Sequence, residues 1–348
     1  MAFRKSSDVR PQILDVSPEA AIPGGEFQVR GKNFTREGRA AVTIGAVPAP
    51  LVVGSDSYLI VRVPEGASGG EMVVGRNGDV SAPRNLHVGA QIADGLHPIA
   101  NPAVDRSGNI YATFSGSRGQ KTPVSVFKVD AATGQSAPFV SDVMNASGLA
   151  VDPDDALYVS SRHEGTIYRV SENGGTSVYV EGMGVATGIV FDAEGNLYVG
   201  DRSGTIFKVS RQRQIYVFAT LETSISAYHL ALGPDGYLYV TGPTTSSFDA
   251  VQRVSPAGHV EQFFRGLGRP QGLAFDAQGN LYVAASFEGR RGVVRIAPDG
   301  NTQAKQAGLF LSGPGIVGLA FAPGKSLILA TSSALFRATV GIEGQRLP

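Results

Sequence analysis

The chain has 348 residues, 42% of them hydrophobic, which is enough to bury more than one core. Its 30 basic residues equal its 30 acidic ones, and nucleic-acid binding, which needs an excess of positive charge, is therefore not expected. Without cysteine there is no disulfide, thiolate metal site or cysteine nucleophile, and no apolar run approaches the roughly 18 residues of a membrane-spanning helix.

Met1-Ala2-Phe3-Arg4-Lys5-Ser6-Ser7 has no apolar core after it, so no signal peptide is visible and residues 1–10 read as an N-terminal tail. From Pro11 to Val88, runs of five or six residues alternate with turn signals. They include Glu26-Phe27-Gln28-Val29, Ala41-Val42-Thr43-Ile44, Leu59-Ile60-Val61 and Glu71-Met72-Val73-Val74, the last just before Asn77-Gly78. This spacing predicts a small β-sandwich. No Ser/Gly- or Pro-rich linker follows, so the next domain is expected to begin at once, over residues 89–348.

That second stretch repeats. Gly-Leu-Ala-Phe-Asp-Ala-Gln-Gly-Asn-Leu-Tyr-Val-Ala, residues 272–284, has recognisable copies around Tyr111, Tyr158, Tyr198, Tyr239 and Ile328. From Tyr111 through Tyr282 to Ile328 the steps are 47, 40, 41, 43 and 46 residues, the period of a β-propeller built from four short strands per blade. Turns such as Asp105-Arg106-Ser107-Gly108 put Asp first and Gly fourth, as tight hairpins require. A third run in each unit carries one cation: Lys128, Arg169, Lys208, Arg253, Arg295 or Arg337. Each is expected to lay its stem on the neighbouring blade and keep its charge in water. The sixth unit ends near Thr339 without a fourth run, and the strand around residues 89–96 is expected to complete it, closing the ring. The fold class expected is thus all-β: a sandwich followed by a six-bladed propeller closed by an early outer strand.

Two resemblances sharpen this reading. Ser17-Pro18, Pro23-Gly24-Gly25, Gly31-Lys32-Asn33-Phe34 and Val63-Pro64 make residues 11–88 similar to the IPT/TIG immunoglobulin-like domain, which implies an immunoglobulin-like sandwich acting as a spacer or contact module. The recurring Gly-Leu-Ala-Phe-Asp-x-x-Gly-Asn-Leu-Tyr-Val makes residues 89–348 resemble six-bladed propellers of the NHL and senescence-marker/gluconolactonase type. The pairing implies an exported bacterial protein.

The gluconolactonase-type enzymes hold a divalent cation such as Ca²⁺ at the axial mouth, with carboxylates and amides placed just ahead of the repeat's glycine. The corresponding positions here are Ala100, Ser147, Thr187, Tyr228, Gln271 and Val317, none a carboxylate. No His-Glu-x-x-His or Gly-x-Ser-x-Gly motif appears either. Gly313-Pro314-Gly315-Ile316-Val317-Gly318 matches a dinucleotide fingerprint formally but precedes a strand and not a helix. The expectation is therefore a non-catalytic binding protein without a cofactor, its propeller mouth or rim contacting a protein, a glycan or a small ligand. The candidate contacts are Arg162, His163, Asp201, Arg202, Tyr228, His229 and Gln271. The alternative is a metal-dependent lactone hydrolase or a lyase with a divergent site.

Overall fold

The computed structural model describes residues 10–36, 38–67, 69–246, 249–298 and 306–345. All but the last residue of the expected N-terminal tail lies outside the described residues. Among these, the secondary structure is β-strand without helix, and no helix long and apolar enough to cross a membrane is present. The chain divides into two compact units, one reaching Ala90 and including Leu309–Pro314, the other formed by Gln91–Gly308 and Gly315 onward.

The first unit is a two-sheet sandwich. One sheet has the order Gln12–Ser17, Glu26–Lys32, Tyr58–Arg62, Leu51–Gly54. In the other, Gly70–Arg76 lies between Arg84–Val88 and Ala41–Ile44. Strict alternation along Glu26–Lys32 and Tyr58–Arg62 turns Phe27, Val29, Leu59 and Val61 inward. They meet Val42, Ile44, Met72 and Val74 of the facing sheet in one core, as two half-buried sheets must. Residues 309–314, which the sequence reading places in the second domain, belong here: Leu311 and Ser312 pair in parallel with Ala20 and Ala21, and Ser312 Oγ accepts from Glu26 N at 2.9 Å. That contact joins residues 286 apart in sequence, so no local pattern announces it.

In the second unit the described strands form five four-stranded sheets and a further antiparallel set, Leu273–Phe275, Leu281–Phe287 and Arg290–Ile296. Ala90–Ala93 does lie beside Leu335–Thr339, at the outer edge of the sheet whose other strands are Ser326–Thr331 and Ile316–Ala322. Burial falls from the inner to the outer strand within a sheet. Ala146–Val151 and Leu157–Ser161 are buried throughout, whereas Thr176–Val180 is mostly exposed. The inner strands are apolar without alternation because both faces pack: Leu149 and Val151 join the core of the preceding sheet, Ala150 that of the following one. Aromatic rings bind neighbouring sheets, with Tyr158 at 4.7 Å from Phe191 and Tyr239 at 4.8 Å from Phe275.

The repeated Asp of the hairpin turns does more than cap. Asp276 Oδ1 accepts from Asn280 N at 2.8 Å, and Oδ2 accepts from Asn280 Nδ2 at 2.6 Å and from the Tyr282 hydroxyl at 3.0 Å. Asp105 holds Asn109 and Tyr111 in the same way. The Leu-Tyr signature is thus a buried phenol tied to its own turn. Burial first, then the Asp carboxylate, pushes the Tyr111 and Tyr282 hydroxyls above their ordinary pKa. Removing the hydroxyl in Tyr282→Phe is expected to cost about 1 kcal/mol in urea unfolding. An unchanged midpoint would show that the bond contributes nothing.

Three of the third-strand cations lie over rings of their own sheet and not only along the neighbouring one. Lys128 sits over the Tyr111 and Phe139 rings at 5.8 and 5.6 Å, Lys208 over Tyr198 at 5.2 Å, and Arg253 over Tyr237 at 4.7 Å. These partners belong to the same sheet as the cation. The register explains it, since Lys128 is directly opposite Tyr111 and Lys208 opposite Tyr198, within cation–π reach.

Candidate functional site

The inner strands converge where the repeat has its glycine. A Cβ at Gly148 would run into the Thr187 carbonyl, at Gly188 into that of Tyr228, and at Gly318 into that of Ala100. Only Gly permits this approach, which lets Gly188 N donate to Tyr228 O at 2.9 Å and Gly272 N to Val317 O at 3.1 Å. Ser160 Oγ adds a relay, accepting from Gly148 N at 2.8 Å and donating to Thr187 O at 2.6 Å. In the first repeat of the second unit Asn101 takes the glycine's place, and its amide donates to Leu273 O at 3.0 Å and accepts from Leu319 N at 3.1 Å.

These bonds lace the hub, and the residues just ahead of the glycines are drawn into it. Ala100, Ser147, Thr187 and Tyr228 are buried, while Gln271 and Val317 keep partial exposure. Their methyl, hydroxyl, phenol, amide and isopropyl groups do not make the anionic oxygen cluster that a hard divalent cation requires. Among the described residues no group of three His, Asp or Glu side chains is placed to hold a metal ion.

Tyr228 packs within a core and not along the axis. Its hydroxyl donates to Glu222 O, its ring belongs to a cluster with Leu230 and Val240, and burial pushes its pKa up to about 12. Gln271 uses its backbone, N donating to Ala284 O at 2.8 Å and O accepting from the Thr241 hydroxyl. Asp201 is buried and organises its loop, accepting from Val185 N at 2.8 Å and from the Ser203 hydroxyl.

On the same end as these turns, arginines from successive units gather. Arg162 and Arg202 follow their second strands at equivalent positions, and their backbone N–H groups donate to Asn145 O and Val185 O at 3.3 and 3.2 Å. The Arg202 side chain donates to Ser224 O at 3.3 Å, and Arg162 Nη2 to Gly116 O at 2.9 Å. Arg162 is half-buried with an unpartnered Nε. Burial lowers its pKa first, then the charges of Arg202 and Arg118, so all three guanidinium groups share one neighbourhood. Among the described residues, none of the three belongs to an ion pair. His163 is exposed beside Gly119.

Sequence reasoning left Arg118 and Asn145 outside the chosen set. Asn145 is 1% exposed and left-handed at φ 50°, and it clamps the loop carrying Arg118. Its carbonyl oxygen accepts from Gly119 N at 2.7 Å and its amide donates to Gly116 O and Ser117 O, both at 2.8 Å. The available signal was the residue type, since Asn is favoured in the left-handed region.

His229, the other replacement of a hub glycine, is among the residues lining an axial cavity of about 820 Å³. The cavity runs along the inner strands to the hairpin turns at Asp192–Asn196 and Gly233–Gly236. His229 is 2% exposed, neither ring nitrogen has a partner, and burial lowers its pKa to about 4.

Comparison with known proteins bears on the fold. Residues 11–88 match the sequence profile of the IPT/TIG domain. No curated protein matches the chain. Solved structures similar to it include a protein of unknown function from Bacteroides thetaiotaomicron, at 14% identity and TM-score 0.56 over 94% of this chain and 98% of that one. An auxiliary nutrient binding protein from the same organism has 12% identity and TM-score 0.52 over 94% and 97%. A gluconolactonase from Xanthomonas campestris has 16% identity and TM-score 0.57 over 72% and 89%. At such identities the likeness is one of fold, so the chain is an all-β protein with propeller-type four-stranded sheets and an IPT/TIG domain at residues 11–88.

Proposed function

We propose that this is a non-catalytic binding protein: an immunoglobulin-like domain carrying a six-bladed propeller whose rim takes a carboxylate-bearing sugar through Arg118, Arg162 and Arg202. The observation that carries the reading is the half-buried Arg162, held by Nη2 on Gly116 O in the loop of Arg118 and without an ion-pair partner among the described residues; burial first, then the charges of Arg202 and Arg118, lowers its pKa. A partly desolvated guanidinium fork is suited to bidentate capture of a carboxylate, and a planar anion between three cations relieves their mutual repulsion. The nutrient binding protein among the similar structures supports a binding role. His163, exposed at the same rim, is available for a further contact.

Isothermal titration with trigalacturonate and a neutral trisaccharide tests this. The acidic sugar is expected to bind and the neutral one not, with Arg162→Ala weakening binding about 10- to 100-fold and salt weakening it further. Equal binding of both sugars, or none of either, would sink the reading.

The similarity to a gluconolactonase favours a second reading, lactone hydrolysis with a divalent cation. Turnover of a lactone panel with Ca²⁺, Mn²⁺, Zn²⁺ or Mg²⁺, abolished by chelator and by Gln271→Ala, would replace the binding proposal with it.

A further inference from the structure

Each four-stranded sheet of the second unit ends in an outer strand, and an outer strand with free N–H and C=O groups is a template for another chain. Most of these edges carry a device against such pairing. Ser136–Val140 contains Pro138, Thr176–Val180 opens on two hydroxyl residues, and Val260–Leu267 holds Glu261 and Arg265. Ile215–Thr220 has neither charge nor proline. Its Ile215, Tyr216 and Val217 are 44, 52 and 66% exposed, the one run of three consecutive exposed large apolar side chains among the described residues. No described strand pairs with its outward side.

The hydrogen bonding of the hairpin shows which groups are free. Gln214 O accepts from Ser210 N at 2.9 Å, and the ladder continues with Ile215 opposite Val209, Tyr216 opposite Lys208 and Val217 opposite Phe207. Bonded and non-bonded pairs alternate in an antiparallel ladder. Tyr216 therefore spends its N–H and C=O on Lys208, whereas Ile215 and Val217 turn theirs away from the sheet. After Val217 the register shifts, so the straight part of the edge is short and centred near Tyr216.

The charges at its two ends select the partner. Arg213, in the turn before the strand, lies over the Tyr179 ring at 5.1 Å, and Glu222 is exposed just after the strand. Neither belongs to an ion pair among the described residues. An antiparallel copy of the same edge brings its acidic end to this basic end, and the reverse, whereas a parallel copy would set arginine beside arginine.

We propose that Ile215–Thr220 is an interface between two copies of this chain, joined edge to edge as antiparallel strands about a two-fold axis at Tyr216. Ile215 of each copy then faces Val217 of the other, where the outward backbone groups of both can bond. Tyr216 meets its own symmetry mate, an aromatic cross-strand pair.

Sedimentation velocity of the full chain at about 50 µM, where even a weak surface association is populated, is expected to show a dimer. Val217→Lys, which puts a charge on the edge, should weaken it at least about tenfold. Val178→Lys, at the equivalent and similarly exposed place on the preceding outer strand, should leave it intact. Arg213→Glu and Glu222→Arg each set like charges across both ends, and alone each should weaken the dimer by about three- to tenfold. Mixed together, the two variants should form a heterodimer within about twofold of native strength, since each then meets its opposite. A native chain that stays monomeric overturns the proposal, as does a dimer that folded Val217→Lys leaves unchanged or that Val178→Lys weakens as much. A mixture of the two charge variants no tighter than either alone overturns the antiparallel pairing, whether or not Val217→Lys folds.

Discussion

Gly188→Val is expected to destabilise the second unit by about 3 kcal/mol, while Gly308→Ala changes stability by less than about 0.5 kcal/mol. At Gly188 a Cβ would be driven into the Tyr228 carbonyl oxygen, with the Tyr228 carbonyl carbon and His229 Cα both at 3.1 Å behind it. These are backbone atoms of the next inner strand and cannot rotate away as a side chain could. The 2.9 Å bond from Gly188 N to Tyr228 O would be lost in the same displacement. The Gly188 φ is not in the left-handed region, so the whole effect is steric and a comparison with Gly308, whose Cβ would meet nothing within 4 Å, isolates it. In a thermal melt the Val variant should fall by roughly 6–10 °C. If the two variants melt together, the close approach of the inner strands at the hub is wrong.

Acid should destabilise the protein through His229. The folded-state pKa of about 4 lies below the ordinary 6.5, so between these values the unfolded chain binds a proton that the folded chain refuses. The contribution of neutral His229 is complete above pH 6.5 and is lost as pH falls toward 4, by about 3 kcal/mol in all. Urea unfolding of native protein and His229→Leu at pH 7.5 and pH 4.5 measures this as the difference between the two pH dependences. The carboxylates titrate in both and cancel. Parallel curves would mean that the imidazole is not held neutral by its burial.

The repeat was legible because its physical demands are local. Asp at the first turn position and Gly at the fourth close a hairpin in any context, and Gly108 and Gly195 adopt the left-handed φ of 85° and 80° that this calls for. The step from Leu-Tyr to Leu-Tyr counts residues per sheet. The bond from Tyr282 to Asp276 could also have been suspected, since both recur at fixed offset, yet a phenol six residues from a carboxylate points to it only once the hairpin is folded.

The rim was less legible. Arg162 and Arg202 stood out by position, but their nearness to Arg118 depends on Asn145 clamping a loop that begins 29 residues earlier. Tyr228 and His229 are neighbours in sequence and were grouped together, yet they part in the fold. Strand alternation turns the two side chains to opposite faces, the phenol into a core with Leu230 and Val240 and the imidazole into a buried place without hydrogen-bond partners.

The order of residues therefore determined by itself the all-β class, the turns, the recurring strands and the early strand beside Leu335–Thr339, because each follows from short-range patterns of apolar residues, Asp and Gly. The inclusion of residues 309–314 in the first unit, the hub glycines' fit against neighbouring carbonyls, the arginine cluster and the orphaned His229 were decided only by tertiary structure. Each depends on atoms brought together from distant units, and periodicity records how a chain pairs with itself nearby but not what faces it across a hub.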